Sequence, residues 1–198
     1  MEIEGKAAIV TGAGGDGSGR AIARRLAHDG ALVVVTDIND SGGKETVRLI
    51  ESIGGRAVFR RTDVRVEEEV RDLVNFAEKT FGGLHILVNN ASAPFRPGDP
   101  LEHWSDTVQT DFLGTMYATR LAIDTMKRAG EGAIVNISSI SALWHGRKGG
   151  SPAYDTAKAG VIHLTSTLAW LKEKENIRVN CLAPGWIASG DVRAIRNR

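Results

Sequence analysis

Six short apolar runs punctuate the chain, and longer amphipathic stretches separate them. Lys6–Thr11, Ala31–Asp37, Arg56–Arg60, Leu84–Asn89, Ala133–Ser138 and Ile177–Leu182 read as strands. Ser18–Gly30, Asp40–Gly54, Val66–Gly82, Leu101–Ala129 and Ser151–Glu175 read as helices, and Ser92–Pro100 as a proline-rich loop. Strands that are nearly all apolar, instead of alternating, are covered on both faces. Their alternation with helices puts them in one parallel sheet. The pattern predicts a single doubly wound α/β domain over residues 1–198, strand order 3-2-1-4-5-6. In such a sheet a ligand lies at the carboxyl ends of the strands, near the point where the order reverses.

The turn after the first strand narrows the choice of ligand. Thr11 leads into Gly12, Gly14 and Gly17, spaced Gly-x-Gly-x-x-Gly, and Ser18 opens a helix. Glycines let the backbone approach a pyrophosphate closely, and the helix presents its N-terminal amides and positive dipole end to it. The strand before and the helix after give this otherwise weak motif its context. Asp37 ends the second strand, where a carboxylate accepts both adenine-ribose hydroxyls and repels a 2′-phosphate. The expected cofactor is therefore NAD, with NADP disfavoured. Arg20 lies past the glycines and faces solvent or the core edge in this reading. Asp63, after the third strand, is a candidate for the adenine amino group, although Asp is common in such turns anyway.

The chemistry is expected between Ser138 and Gly160. Tyr154 and Lys158 stand four residues apart in a helix, on one face. A free phenol ionises near pH 10 and is a poor base at neutrality. A nearby ammonium favours the phenolate, which makes such a pair a usable acid and base. Ser139, closing the fifth strand, offers a hydroxyl to the same reacting oxygen, with Ser138 and Ser141 as competitors for that role.

Composition removes other classes. With 25 basic and 24 acidic residues the net charge is +1, so no global field favours nucleic acid or an anionic membrane. No apolar run reaches the roughly 18 residues that span a bilayer. The N-terminus runs straight into a strand without a signal peptide. Cys181 is the one cysteine, placed in what reads as a buried strand. No Cys, His and acidic cluster has metal-site spacing, so no metal is expected. A cytoplasmic location fits this profile.

Taken together, TGAGGDGSG after strand one, Asp37, Asp63-Val64, Asn89-Asn90-Ala91, Ser139, Tyr154-x-x-x-Lys158, and Ile177-Arg178-Val179-Asn180 leading to Pro184-Gly185 resemble the short-chain dehydrogenase/reductase family over essentially the whole chain. The resemblance implies a Rossmann domain and hydride transfer between a nicotinamide and a secondary alcohol or ketone. It implies Tyr154 as acid/base, Ser139 on the substrate oxygen and Lys158 on the nicotinamide ribose. It puts Asn89 and Ala91 along the cofactor, and Pro184, Gly185 and Ile187 near the carboxamide. It also implies a homodimer or homotetramer through the Leu101–Ala129 and Tyr154 helices. Two alternatives stay open. One is a 3-oxoacyl-thioester reductase, which would favour NADPH and which Asp37 opposes. The other is a non-catalytic nucleotide binder.

Four departures from the family pattern stand out. The glycine turn is one residue longer than usual, around Asp16. Ser92 stands where the family carries Gly. Asp111 stands where it carries an Asn that orders a proton-relay water. The chain ends at Arg198, short of the family's usual last strand. Between Ser139 and Tyr154 the loop carries Trp144, His145, Arg147 and Lys148. Trp144 beside a substrate, with Arg147 or Lys148 favouring an anionic one, is one reading; a solvated basic loop is the other.

Overall fold

The computed structural model describes residues 3–94, 101–144 and 151–187. His145, Arg147 and Lys148, named above as substrate-side or surface candidates, lie outside the described residues, as do Pro97 and Pro100. The strands are β1 (Ala7–Thr11), β2 (Leu32–Asp37), β3 (Arg56–Arg61), β4 (Ile86–Asn89), β5 (Gly132–Ile137) and β6 (Ile177–Leu182). They form one parallel sheet in the order β3-β2-β1-β4-β5-β6, as the sequence predicts.

The helices are α1 (Ser18–His28), α2 (Asp40–Glu51), α3 (Glu67–Phe81), α4 (Trp104–Val108), α5 (Gly114–Ala129), α6 (Pro152–Thr167) and α7 (Leu171–Glu175). Alternate residues of each strand feed opposite faces. Ile9, Val34, Leu87 and Ile134 pack with Leu73 and Val74 of α3 and with Ala118, Ala122 and Met126 of α5. Ala8, Val10, Val33, Val35 and Val88 pack with Ala23 and Ala27 of α1 and Ile50 of α2. Both clusters are apolar, and each fully buried Val, Ile or Leu contributes roughly 1.5–3 kcal/mol of transfer free energy.

Two predicted helices are interrupted. Leu101–Ala129 begins with a 3₁₀ turn at Leu101–His103 and passes from α4 to α5 through one π-helical turn, Gln109–Leu113. That wide turn carries Asp111, which is fully buried; such turns are rare and concentrate at functional sites. Ser151–Glu175 breaks after Thr167. There the Thr165, Ser166 and Thr167 hydroxyls donate to the carbonyls of Val161, Ile162 and Leu164 at 2.8, 3.1 and 2.8 Å. Hydroxyls that bond back to the preceding turn compete with the backbone ladder and loosen it. Cys181 also departs from expectation. It is half-buried on β6, which is an edge strand among the described residues.

Candidate active site

Strand order brings the last residues of β1, β2, β4 and β5 to one edge of the sheet: Thr11, Asp37, Asn89 and Ile137. The turn after β1 is tight. Gly12 has φ +65°, and a Cβ there would lie 2.7 Å from Ala91 Cα. A Cβ on Gly14 would lie 2.7 Å from the Asp37 carboxylate carbon, and one on Gly19 only 2.2 Å from the Gly12 carbonyl oxygen. Asp16, within the turn, is exposed.

The turn is held from several sides. The Gly14 N–H donates to Asp37 Oδ2 at 2.8 Å, and the Asn39 N–H donates to Oδ1 at 2.9 Å. A carboxylate has about four lone-pair sites, so two remain for a ligand. Arg20 is turned inward. Its guanidinium donates to Thr46 Oγ1 at 2.9 Å and to the carbonyl oxygen of Gly14 at 3.1 Å. Thr46 Oγ1 in turn donates to the Ala13 carbonyl at 2.7 Å. Asn90 donates to the carbonyls of Thr11 and Gly12 at 3.0 and 3.1 Å and accepts from Ser18 Oγ at 2.8 Å. Thr11 Oγ1 accepts from the N–H groups of Asn90 and Ala91.

The ends of the helices sort themselves for anions. Gly17 caps α1 without a side-chain bond, and the first turn of α1 carries no acidic residue. The first turn of α3 carries Glu67, Glu68 and Glu69, which oppose an anion. In α2, Asn39 already accepts from the Gly42 N–H. Of these three helices, only α1 combines open amides, the positive dipole end and a glycine approach. These features fit the pyrophosphate of a dinucleotide.

Farther along the same edge, Val64, Asn89 and Ala91 meet Thr11 around a small recess. The Asn89 side chain is directed into the sheet, donating to Thr119 Oγ1 at 3.0 Å and Asn136 Oδ1 at 2.8 Å. Asp63 is engaged by its neighbour. Arg65 NH2 donates to Oδ2 at 2.7 Å, and this bond holds the Asp63 carboxyl below the usual carboxylate range.

The candidate reacting groups, Tyr154 and Lys158, sit on α6. Ser151 accepts from the Tyr154 N–H at 3.2 Å and starts the helix, with Pro152 in its first turn. Lys158, one turn past Tyr154, is 2% exposed. Its Nζ donates to the Ile137 carbonyl oxygen at 3.0 Å and lies 5.5 Å from the centroid of the Tyr154 ring. Asp111 reaches the same ammonium: Lys158 Nζ to Asp111 Oδ1 is 3.0 Å. Asp111 Oδ1 also accepts from Ser92 Oγ at 2.6 Å, and Oδ2 from the Ala93 N–H at 2.9 Å. Close approach of α6 to the π turn makes this possible; a Cβ on Gly160 would already press on the Phe112 ring at 3.0 Å.

The three serines separate. Ser138 is buried and donates to the Lys158 carbonyl at 2.7 Å, a bond internal to the fold. Ser139 and Ser141 are half-buried and share a hydrogen bond at 3.1 Å. The Pro184 carbonyl accepts from the Ile140 N–H at 2.9 Å, tying the segment of Pro184, Gly185 and Ile187 to the turn holding Ser139. Trp144 is exposed at the end of that turn. Sequence reasoning assigns no bonding role to Thr11, Asn90 or Thr46, and it reads Ser92 only as standing in place of a Gly. The sole signal is that Asn90 and Ser92 adjoin Asn89 and Ala91.

A family model described as short chain dehydrogenase matches residues 6–198. Cis-4-hydroxycyclohexanecarboxylate dehydrogenase of Sinomonas cyclohexanicum is 39% identical over 186 residues, covering 91% of this chain and 73% of that protein. 7alpha-hydroxysteroid dehydrogenase of Escherichia coli is 34% identical over 197 residues, covering 98% and 76%. Among solved structures, a hydroxysteroid dehydrogenase from Escherichia coli superposes with TM-score 0.86 at 33% identity, over 98% of this chain and 80% of that one. A short-chain type dehydrogenase/reductase from Mycobacterium ulcerans gives TM-score 0.90 at 32% identity, over 99% and 73%.

Proposed function

The chain belongs to the short-chain dehydrogenase family, and from that premise we propose that it interconverts a cyclic secondary alcohol and its ketone with NAD, Tyr154 serving as acid and base. One observation carries the reading. The buried ammonium of Lys158 lies one helical turn from Tyr154, at the strand ends that also carry the glycine cradle.

Bound NAD would accept hydride from the carbinol carbon, or as NADH return it to the carbonyl carbon. During oxidation the Tyr154 phenolate takes the hydroxyl proton as the C–H electron pair leaves; during reduction the phenol returns it. Lys158 favours the phenolate by charge and bonds the nicotinamide ribose. Ser139 holds the substrate oxygen, and Asp111 acts on Lys158. Gly12, Gly14, Gly17 and Ser18 take the pyrophosphate, Asp37 the adenine ribose, and Asp63 and Val64 the adenine side. Asn89 and Ala91 run along the middle, with Pro184, Gly185 and Ile187 at the carboxamide.

NAD over NADP is supported by the charge of Asp37. It is supported again by Arg20, whose guanidinium is engaged with Thr46 and Gly14 and is not offered to a 2′-phosphate. The ring-alcohol class is supported by relatives named for a hydroxycyclohexanecarboxylate and a hydroxysteroid.

The reading is tested by mixing the protein with NAD and a set of alcohols and following NADH absorbance. Cyclic secondary alcohols should give NADH, at least about tenfold faster than the same alcohols give NADPH from NADP, the discrimination that about 1.4 kcal/mol of charge repulsion supplies. Turnover confined to NADP would contradict it.

A further inference from the structure

Asp111 is a fully buried carboxylate with three donors on it: the Lys158 ammonium at 3.0 Å, the Ser92 hydroxyl at 2.6 Å and the Ala93 N–H at 2.9 Å. This arrangement is specific to a carboxylate. A carboxamide of the same shape can accept on its oxygen alone. Its NH2 group would face either the Ala93 N–H or the ammonium, donor against donor. The hydroxyl of Ser92 is matched to it, since Oδ1 has two donors only while that hydroxyl is present. Two positions at which the chain departs from its family are thus in direct contact, and together they bear on Lys158.

We propose that Ser92 and Asp111 form one unit that compensates the buried charge of Lys158 and so favours the oxidised, cationic nicotinamide over the reduced, neutral one. The proposal rests on the NAD reading above and deepens it. An uncompensated ammonium repels a positive ring and is indifferent to a neutral one. An ammonium paired with a carboxylate presents less net charge to the ring, while the field that remains still favours the Tyr154 phenolate, so the oxidised cofactor loads and the reduced cofactor leaves more readily. That is the order of events an alcohol-oxidising enzyme needs. Ser92 is a positioning residue, acting through the Asp111 carboxylate.

The test is isothermal titration of the oxidised and reduced cofactor into the wild-type chain, Asp111→Asn, Ser92→Ala and the double variant. Removing one unit charge in a medium of effective dielectric about 20 should raise the ratio of Kd(oxidised) to Kd(reduced) about tenfold in Asp111→Asn. Ser92→Ala should raise it about threefold, and the double variant no further than Asp111→Asn alone. A purely structural role weakens both forms alike, and an unchanged ratio with both forms still bound would overturn the proposal while sparing the NAD reading. Should Asp111→Asn not fold, Ser92→Ala, which removes one hydroxyl, decides the matter on the same ratio. Binding of neither form by the wild-type chain would overturn the NAD reading and this proposal with it.

Discussion

Replacing Tyr154 with Phe is expected to lower kcat by about 10³-fold, within the range that a positioned acid/base supplies, and to leave NAD affinity within about twofold. The substitution is a clean one. The Tyr154 backbone N–H is held by Ser151 regardless of the ring substituent. Ring packing and the start of α6 are therefore unchanged, and so should be the melting temperature. Loss of kcat without loss of binding marks a group that acts on the reacting bond. Turnover that persists near the wild-type rate would remove Tyr154 from the chemistry.

Lys158→Met carries the largest expected cost in stability. It removes the ammonium from a carboxylate that is fully buried, leaving Asp111 charged with two neutral donors. Breaking one partner of a buried pair costs about 3–5 kcal/mol, a large part of the roughly 5–15 kcal/mol that holds a typical domain together. For a chain of this size that corresponds to a fall of about 10 °C in Tm. Turnover should vanish as well, so activity alone would not separate misfolding from chemistry. The double variant Lys158→Met/Asp111→Asn makes the distinction. With the stranded charge gone, it should recover most of the lost stability while remaining inactive. A double variant as unstable as the single one would show that the cost comes from packing around Lys158 and not from the pair.

These two side chains also mark where sequence reading stops. The sheet and its order are legible because β1, β2 and β4 are apolar on both faces, which only a doubly covered parallel sheet satisfies. Tyr154 and Lys158 are legible because helical spacing alone puts them on one face. The partner of Lys158 is not. Gln109–Leu113 carries no Gly or Pro and keeps helical periodicity, so nothing local announces a π turn. The turn answers a tertiary demand, the delivery of Asp111 to an ammonium on another helix. Ser138 and Ser139 pose the same difficulty. Neighbouring serines at a strand end differ only in which side of the chain they leave, and that side decides that Ser138 bonds the Lys158 carbonyl. Arg20, expected at the solvent or the core edge, turns inward for a related reason. Its bonds run to Thr46 and Gly14, contacts created by the packing of α2 against the glycine turn, where a Cβ on Gly42 would lie 2.0 Å from the Gly14 carbonyl oxygen.

If the edge formed by β1, β2, β4 and β5 is a working NAD site, the thermal melt of the protein alone, with NAD and with NADP reveals it without knowledge of the substrate. Ligand at about 100 times its Kd adds about 2.7 kcal/mol to the folded state. At roughly 2–4 °C per kcal/mol in a domain of this size, NAD should raise Tm by about 5–10 °C, and NADP at the same concentration by less than about 2 °C. A cooperative melt unmoved by either cofactor, or moved more by NADP, would contradict the account.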